Sequence, residues 1–329
     1  MKPENIEKVR FWIGSKWPAW MYKVAVFFRV LYKRLRMPEV KKSFGELNPD
    51  KTFYVIRLFP PAAGFLANYN YVLGYMKYAF DKGWIPVIDM ENYATLYQEI
   101  HPVNGTRNVW EYFFEQPYDK RTKKRYSLDE VYKSKNVVLG MADNQDMFNN
   151  SMEENTIKWQ HEMSLLIPFN KFMLNKALKA EKSFFPECGS VLGVSIRGSD
   201  TKKRLVGHPI PLPIDEMISI VRQRYNEWSM EKIFVKAEEK ETIDALKGEF
   251  VNLYYTECDR IENNASRESN VALAYQSKSE ALSEYLTDIY LLSKCNSIIG
   301  TMNNGISSAI IWNGGKFDNV EILDNGVWK

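Results

Sequence analysis

The chain has 329 residues, 45% hydrophobic and 26% charged, the balance of a soluble globular protein long enough for two domains of ordinary size. Its three cysteines, Cys188, Cys258 and Cys295, are far apart with no CxxC spacing, and it has only three histidines. These counts argue against a zinc centre and a disulfide scaffold, and point to a reducing cytoplasm. The net charge of +3 is uneven: residues 1–42 hold 11 basic and 3 acidic side chains, a surplus of +8 that leaves −5 for the rest. A basic head on an acidic body predicts an anionic partner for the head alone and argues against nucleic acid.

In residues 20–36 the apolar side chains Trp20, Val24, Phe27, Phe28, Leu31 and Leu35 recur at helical spacing, with the basic residues mostly off that stripe. Trp12, Trp17 and Trp20 add bodies suited to a lipid interface. No run reaches the roughly 18–20 apolar residues that span a bilayer. The pattern predicts an amphipathic helix lying through residues 15–36 on an anionic membrane surface, with the protein peripheral at the inner face of the cell membrane. A helix packed on the body is the alternative.

The body alternates. FYVIRLF (53–59) reads as a strand, PPAAG (60–64) as a loop, 65–82 as a helix ended by Gly83, and IPVIDM (85–90) as a second strand, which together make a βαβ unit. NVVLG (136–140) reads as a further strand and 150–183 as long helices. A second block opens with the strand VLGVSI (191–196), followed by a polar loop containing GHPIPLP (207–213). Helix 214–228, strand KIFVKA (232–237), helix 242–250, strand VNLYYT (251–256), helix 278–294, strand NSIIG (296–300) and helix 306–313 complete it. This order implies a mostly parallel sheet with helices on both faces, so the fold class is α/β, with two Rossmann-like domains. Ligands in such sheets bind beyond the carboxyl ends of the strands.

Those strand ends lack GxGxxG, GxxxxGK[ST], GxSxG and HExxH, which argues against dinucleotide, P-loop, serine-hydrolase and zinc-hydrolase readings. What remains is Arg197 with Asp200 after one strand and GTMNNGISS (300–308) after another. The unpaired first amides of a helix suit a phosphate, and an arginine supplies a permanently charged fork to the same anion. Together they would hold a diphosphate without a metal. Each element also has a plainer reading. Arg197 can pair with Asp200, the turn can be an ordinary N-cap, Glu238 and Glu239 can be a solvated strand end, and His208 a turn residue.

GVSIRGSDT, then IFVKAEE, then TDIYLLSKCNSIIGTMNNGISSAII resembles the three-motif donor domain of the fucosyltransferase superfamily, which includes α1,2-, α1,6- and protein O-fucosyltransferases. AAGFLANYNYVLGYMKYAFDKGWIPVIDM (62–90) is similar to the glycine-rich loop, helix and strand that open their acceptor domain. The resemblance implies a GT-B architecture: residues 1–45 a basic head, 46–185 an acceptor-side α/β domain and 186–329 a donor-binding domain, facing each other across a cleft. It implies an inverting, metal-independent transfer, with no cofactor, of a sugar from a nucleotide-sugar donor, GDP-fucose. The acceptor would be a cell-surface glycan or a lipid-linked oligosaccharide in polysaccharide biosynthesis. Carried across, Arg197 binds and helps expel the diphosphate, Asp200 braces that loop, and Glu238 or Glu239 stands near the base. Asp288 supports the third motif. Asn303, Asn304, Gly305 and Ser307 contact phosphate, while Gly64 and Asn68 line the cleft from the other domain. His208 is the candidate base. The motif's leading histidine is Ser195 here, its second arginine is Gly198, and its serine-rich turn is Asn303-Asn304. These departures leave open a second reading, a non-catalytic nucleotide-sugar or carbohydrate-binding protein of the same fold.

Overall fold

The computed structural model describes residues 37–58, 64–93, 95–142, 144–185, 189–196, 209–258 and 277–328. The predicted amphipathic helix, residues 15–36, lies outside the described residues, whereas residues 37–45 of the predicted head are described and contribute a strand to the first sheet. Among the described residues no helix is long and apolar enough to cross a membrane. Contacts divide the chain into two compact units, one ending at Met173 and the other starting at Leu174.

In the first unit, β1 (Val40–Lys42), β2 (Leu47–Ile56), α1 (Phe65–Asp81), β3 (Ile85–Ile88), α2 (Leu128–Val131), β4 (Ser134–Leu139) and α3 (Glu154–Ser164) follow in chain order. The sheet runs β1-β4-β2-β3, with β2 parallel to both β3 and β4 and β1 antiparallel to β4. The predicted βαβ unit is therefore present, and its second strand ends at Ile88, two residues short of the reading at 90. The antiparallel β1 was not legible: its sequence, VKK, is mostly exposed and pairs through backbone alone. Phe53, Val55, Val87, Val137, Tyr126 and Val131 form one core under the sheet. A second, aromatic cluster joins α1 to the segment near residue 110: Phe65, Tyr69, Trp110 and Phe114, with Trp110 and Phe114 stacked at 4.8 Å. Gly83, at φ +70°, ends α1 in the left-handed conformation that glycine adopts without cost.

Helix α4 (Lys171–Phe184) crosses the boundary between the units. The second unit continues as β5 (Val191–Ile196), α5 (Ile214–Glu227), β6 (Lys232–Ala237), α6 (Lys240–Glu249), β7 (Leu253–Tyr254), α7 (Lys278–Lys294), β8 (Ser297–Thr301), α8 (Asn304–Asn313) and β9 (Asn319–Leu323). All five strands are parallel, in the order β7-β6-β5-β8-β9. Central β5 and β8 are mostly apolar and buried along nearly their whole length because helices cover both faces. Leu192, Val194, Ile233, Val235 and Ile299 pack with Met217, Ile218 and Val221 of α5 and with Ile243 and Leu246 of α6. Each such side chain contributes about 1.5–3 kcal/mol on burial. The strand expected over 251–256 shrinks to Leu253–Tyr254, a short edge strand. At the opposite edge β9 carries Glu321 in mid-strand, which hid it from the hydrophobic pattern. Arg224 of α5 ties both Glu321 oxygens, with Nη2 donating at 3.0 Å to one of them.

Candidate functional site

In the second sheet, β5, β6 and β7 step outward in one direction and β8 and β9 in the other. The direction of winding therefore reverses between β5 and β8, which pair directly, Ser195 opposite Gly300. Open α/β sheets take ligands at such a switch point, beyond the carboxyl ends of the strands. The close pairing depends on Gly300: a Cβ there would lie 2.5 Å from the Ser195 carbonyl oxygen and 3.0 Å from Ile306.

The loop after β5 begins at residue 197. Arg197, Asp200 and His208 all lie outside the described residues. Asn303 is the N-cap of α8, and its Oδ1 accepts from the Gly305 amide at 2.8 Å and the Ile306 amide at 3.1 Å. Its Nδ2 donates to the Thr301 carbonyl at 2.8 Å. This corrects the expectation that the first amides of this helix stand unpaired: an asparagine carboxamide, a favoured N-cap group, already takes two of them. The helix also begins at Asn304, two residues before the predicted start at 306, because the cap recruits the turn. Ser307 is fully buried, and its hydroxyl and that of Ser308 have no hydrogen-bond partner among the described residues.

At the neighbouring end of β6 the two glutamates are not a solvated strand end. Glu239 is 6% exposed and forms the N-cap residue of α6. Glu238 accepts from Lys236 Nζ at 3.1 Å. Lys236 is the penultimate residue of β6, buried, and stacked over the Tyr285 ring at 5.1 Å. Burial by itself pulls the Lys236 ammonium down. The carboxylate of Glu238, with smaller contributions from Tyr285 and Asp288, outweighs it and holds the group above its ordinary value. Asp288, on α7 and buried, accepts from the Thr256 hydroxyl at 2.6 Å. Tyr285, one turn earlier on α7, reaches the first turn of α8: a Cβ on Gly305 would lie 2.8 Å from its hydroxyl. The structure thus brings Glu238, Asp288, Asn303 and Gly305 into one neighbourhood through Lys236 and Tyr285. Sequence reasoning gave neither of those two a role. The signal for Lys236 was its position two residues before Glu238 at the end of a strand, where alternation puts both on one side if the extended backbone continues one residue further.

Gly64 and Asn68 belong to the first unit. Gly64 is the exposed N-cap of α1, with no side-chain cap, and Asn68 is buried in the first turn of that helix.

An open, doubly wound parallel sheet with a polar turn at its switch point is the architecture of nucleotide-binding domains. No protein-family model and no curated protein matches the chain. Among solved structures, the chain shares the fold of the alpha-1,6-fucosyltransferase NodZ soaked with GDP-fucose, with a TM-score of 0.51, 14% identity, and coverage of 80% of this chain and 92% of that one. A structure of fucosyltransferase NodZ from Bradyrhizobium gives a TM-score of 0.47 at 13% identity over 79% and 92% of the two chains. Unliganded POFUT1 gives 0.44 at 10% identity over 85% and 99%.

Proposed function

We propose that the chain is a glycosyltransferase of GT-B architecture that transfers fucose from GDP-fucose. The observation that carries this reading is the position of the three resembling motifs. GVSI is β5, IFVKAEE is the end of β6, and the GTMNNG turn follows β8, so all three converge on the carboxyl edge of a doubly wound sheet. The likeness of the fold to a fucosyltransferase supports it. In this reading residues 186–329 bind the donor, residues 46–185 bind the acceptor, and the basic head, residues 1–45, holds the enzyme at the membrane. The acceptor is a glycan or lipid-linked oligosaccharide of a surface polysaccharide.

The transfer is inverting and needs no metal. The acceptor oxygen attacks the anomeric carbon from the face opposite the diphosphate, and the bond to the phosphate oxygen breaks with its electrons on GDP. Arg197 meets the charge that develops on the departing diphosphate. Asp200 orients Arg197, and the acceptor proton passes to a base, for which His208 is the candidate. Because Asn303 occupies two amides of α8, the positive end of that helix acts on the phosphates through its dipole and through groups beside the cap. Gly64 and Asn68 contact the acceptor side.

The test is incubation with radiolabelled GDP-fucose and acidic and neutral glycan acceptors, with slow donor hydrolysis as a second readout. Transfer or hydrolysis that falls by orders of magnitude in Arg197→Ala is the expected result. Absence of binding, transfer and hydrolysis across a panel of nucleotide sugars removes the reading. Tight donor binding without transfer or hydrolysis would establish the non-catalytic alternative, which the capped amides and the residues Ser195 and Gly198 favour.

A further inference from the structure

Arg57 follows β2 directly, one residue beyond Ile56, and is 7% exposed. A guanidinium is charged at every working pH and carries five N–H donors. Among the described residues three are used, and every acceptor is neutral. Nε donates to the Gly140 carbonyl at 2.6 Å, Nη2 to the Pro38 carbonyl at 2.7 Å and Nη1 to the Tyr93 hydroxyl at 3.5 Å. The guanidinium also sits over the Tyr93 ring, 5.4 Å from its centroid.

Among the described residues no carboxylate bonds Arg57, and the acids around it are engaged elsewhere. Asp89 accepts from the Tyr132 hydroxyl at 2.6 Å, from the Glu91 and Asn92 amides, and from the Asn92 side chain. Asp89 follows Ile88, the register partner of Ile56, and its amide donates to the Ile56 carbonyl at 3.0 Å, yet its carboxylate makes no hydrogen bond or ion pair with Arg57 among the described residues. Glu39, exposed and next to Pro38, accepts from the Tyr78 hydroxyl at 3.1 Å. A buried cation without a direct counter-ion costs several kcal/mol, which neutral carbonyls offset only in part. Among the described residues one N–H remains on each terminal nitrogen, enough donors to grip a carboxylate or phosphate in bidentate fashion.

Position adds to the argument. Arg57 stands at the carboxyl ends of the parallel strands β2 and β3, where open α/β sheets take ligands. Helix α1 starts from the same edge with no side-chain cap and no acidic residue in its first turn, so its dipole adds to the positive field.

We propose that Arg57 is the anchor of an oxyanion-binding site in the first unit, which takes a phosphate or carboxylate group. Tyr93, Gly140 and Pro38 orient the guanidinium, and the two remaining N–H groups bind the anion. That the anion is carried by the sugar acceptor rests on the transferase reading; the site itself does not.

Thermal unfolding of the full-length chain, titrated with inorganic phosphate or with acetate at constant ionic strength, tests this. The expected result is a saturable rise in melting temperature, with the anion that saturates at lower concentration identifying the ligand class. Arg57→Lys keeps the charge and loses the fork, and is expected to need roughly tenfold more anion or more. Arg57→Met is expected to abolish the response, and circular dichroism checks that it folds; if it does not, Arg57→Lys decides. No saturable response in the wild type, or equal affinity in Arg57→Lys, overturns the proposal. A parallel titration with GDP-fucose and a panel of other nucleotide sugars separates the two questions: failure of all of them in the wild type counts against the transferase reading and leaves the anion result standing.

Discussion

The Lys236 ammonium lies 3.1 Å from the Glu238 carboxylate, and the two side chains leave the end of one strand on the same face, the lysine almost fully buried and the glutamate 19% exposed. The pair ties β6 to α7, because Tyr285 lies beneath the lysine and Asp288 adds to its field. Removing one member of a buried pair strands the other, at a cost of about 3–5 kcal/mol, whereas removing both costs much less. Lys236→Met is therefore expected to destabilise the chain by about 3 kcal/mol, and Lys236→Met with Glu238→Gln by clearly less than the sum of the single changes. Urea unfolding of the double-mutant cycle measures this. Additive effects would show that the pair contributes nothing as a pair.

The same pair sets an alkaline limit. A lysine held above its ordinary value of 10.5 stabilises the fold fully below that pH, and the contribution is lost as pH rises through the folded-state value. Stability of the wild type is expected to fall above about pH 10.5, with a shallower fall in Lys236→Met. Unfolding free energies between pH 9 and 11.5 compare the two; parallel curves would assign the alkaline loss to other groups.

Asn303 supplies the cap of α8 through two amides. Asn303→Ala is expected to lower stability by about 1 kcal/mol. Asn303→Asp keeps a cap and favours the helix dipole, so it preserves stability while placing a negative charge beside the proposed diphosphate. Its GDP affinity is expected to drop with the melting temperature unchanged. Calorimetric titration with GDP gives the answer, and unaltered affinity would place the diphosphate away from this turn.

Gly74 sits inside α1, where helix propensity alone predicts that alanine stabilises by about 1 kcal/mol. The structure predicts the opposite sign. A Cβ at Gly74 would lie 1.9 Å from the Met147 carbonyl oxygen, and backbone cannot yield as a side chain does. Gly74→Ala and Gly300→Ala, the latter 2.5 Å from the Ser195 carbonyl, are both expected to destabilise by at least about 1–3 kcal/mol. A Gly74→Ala variant that melts at or above the wild-type temperature contradicts this packing.

Cys295 lies buried under β5, and burial pushes its thiol far above the ordinary range. It is expected to resist alkylation in the folded protein, while the partly exposed Cys258 reacts. Peptide mass analysis after iodoacetamide treatment, native and denatured, reads both.

Some of this was legible before any coordinates. The strands VLGVSI and KIFVKA and the helix at 278–294 fall where the pattern put them, because strands covered on both faces are mostly apolar. Elements held by backbone pairing or by charge left no hydrophobic trace: β1 has two lysines and a valine, and β9 carries Glu321 for the benefit of Arg224. Arg57 and Lys236 were hidden inside strand-like runs, where a basic residue reads as one that leaves for solvent.

What the sequence by itself determined is the alternation of strands and helices, the position of the polar turns between them, and the order of the three motifs along the chain. Local periodicity and turn chemistry act over a few residues and are written in them. The tertiary structure alone decided that β8 lies beside β5, that Asn303 turns its carboxamide back onto the helix it precedes, and that two basic side chains lie in the interior. Each of these depends on what stands opposite: a carbonyl, an amide or a carboxylate supplied by residues remote in sequence or by a turn's final geometry, which no local pattern specifies.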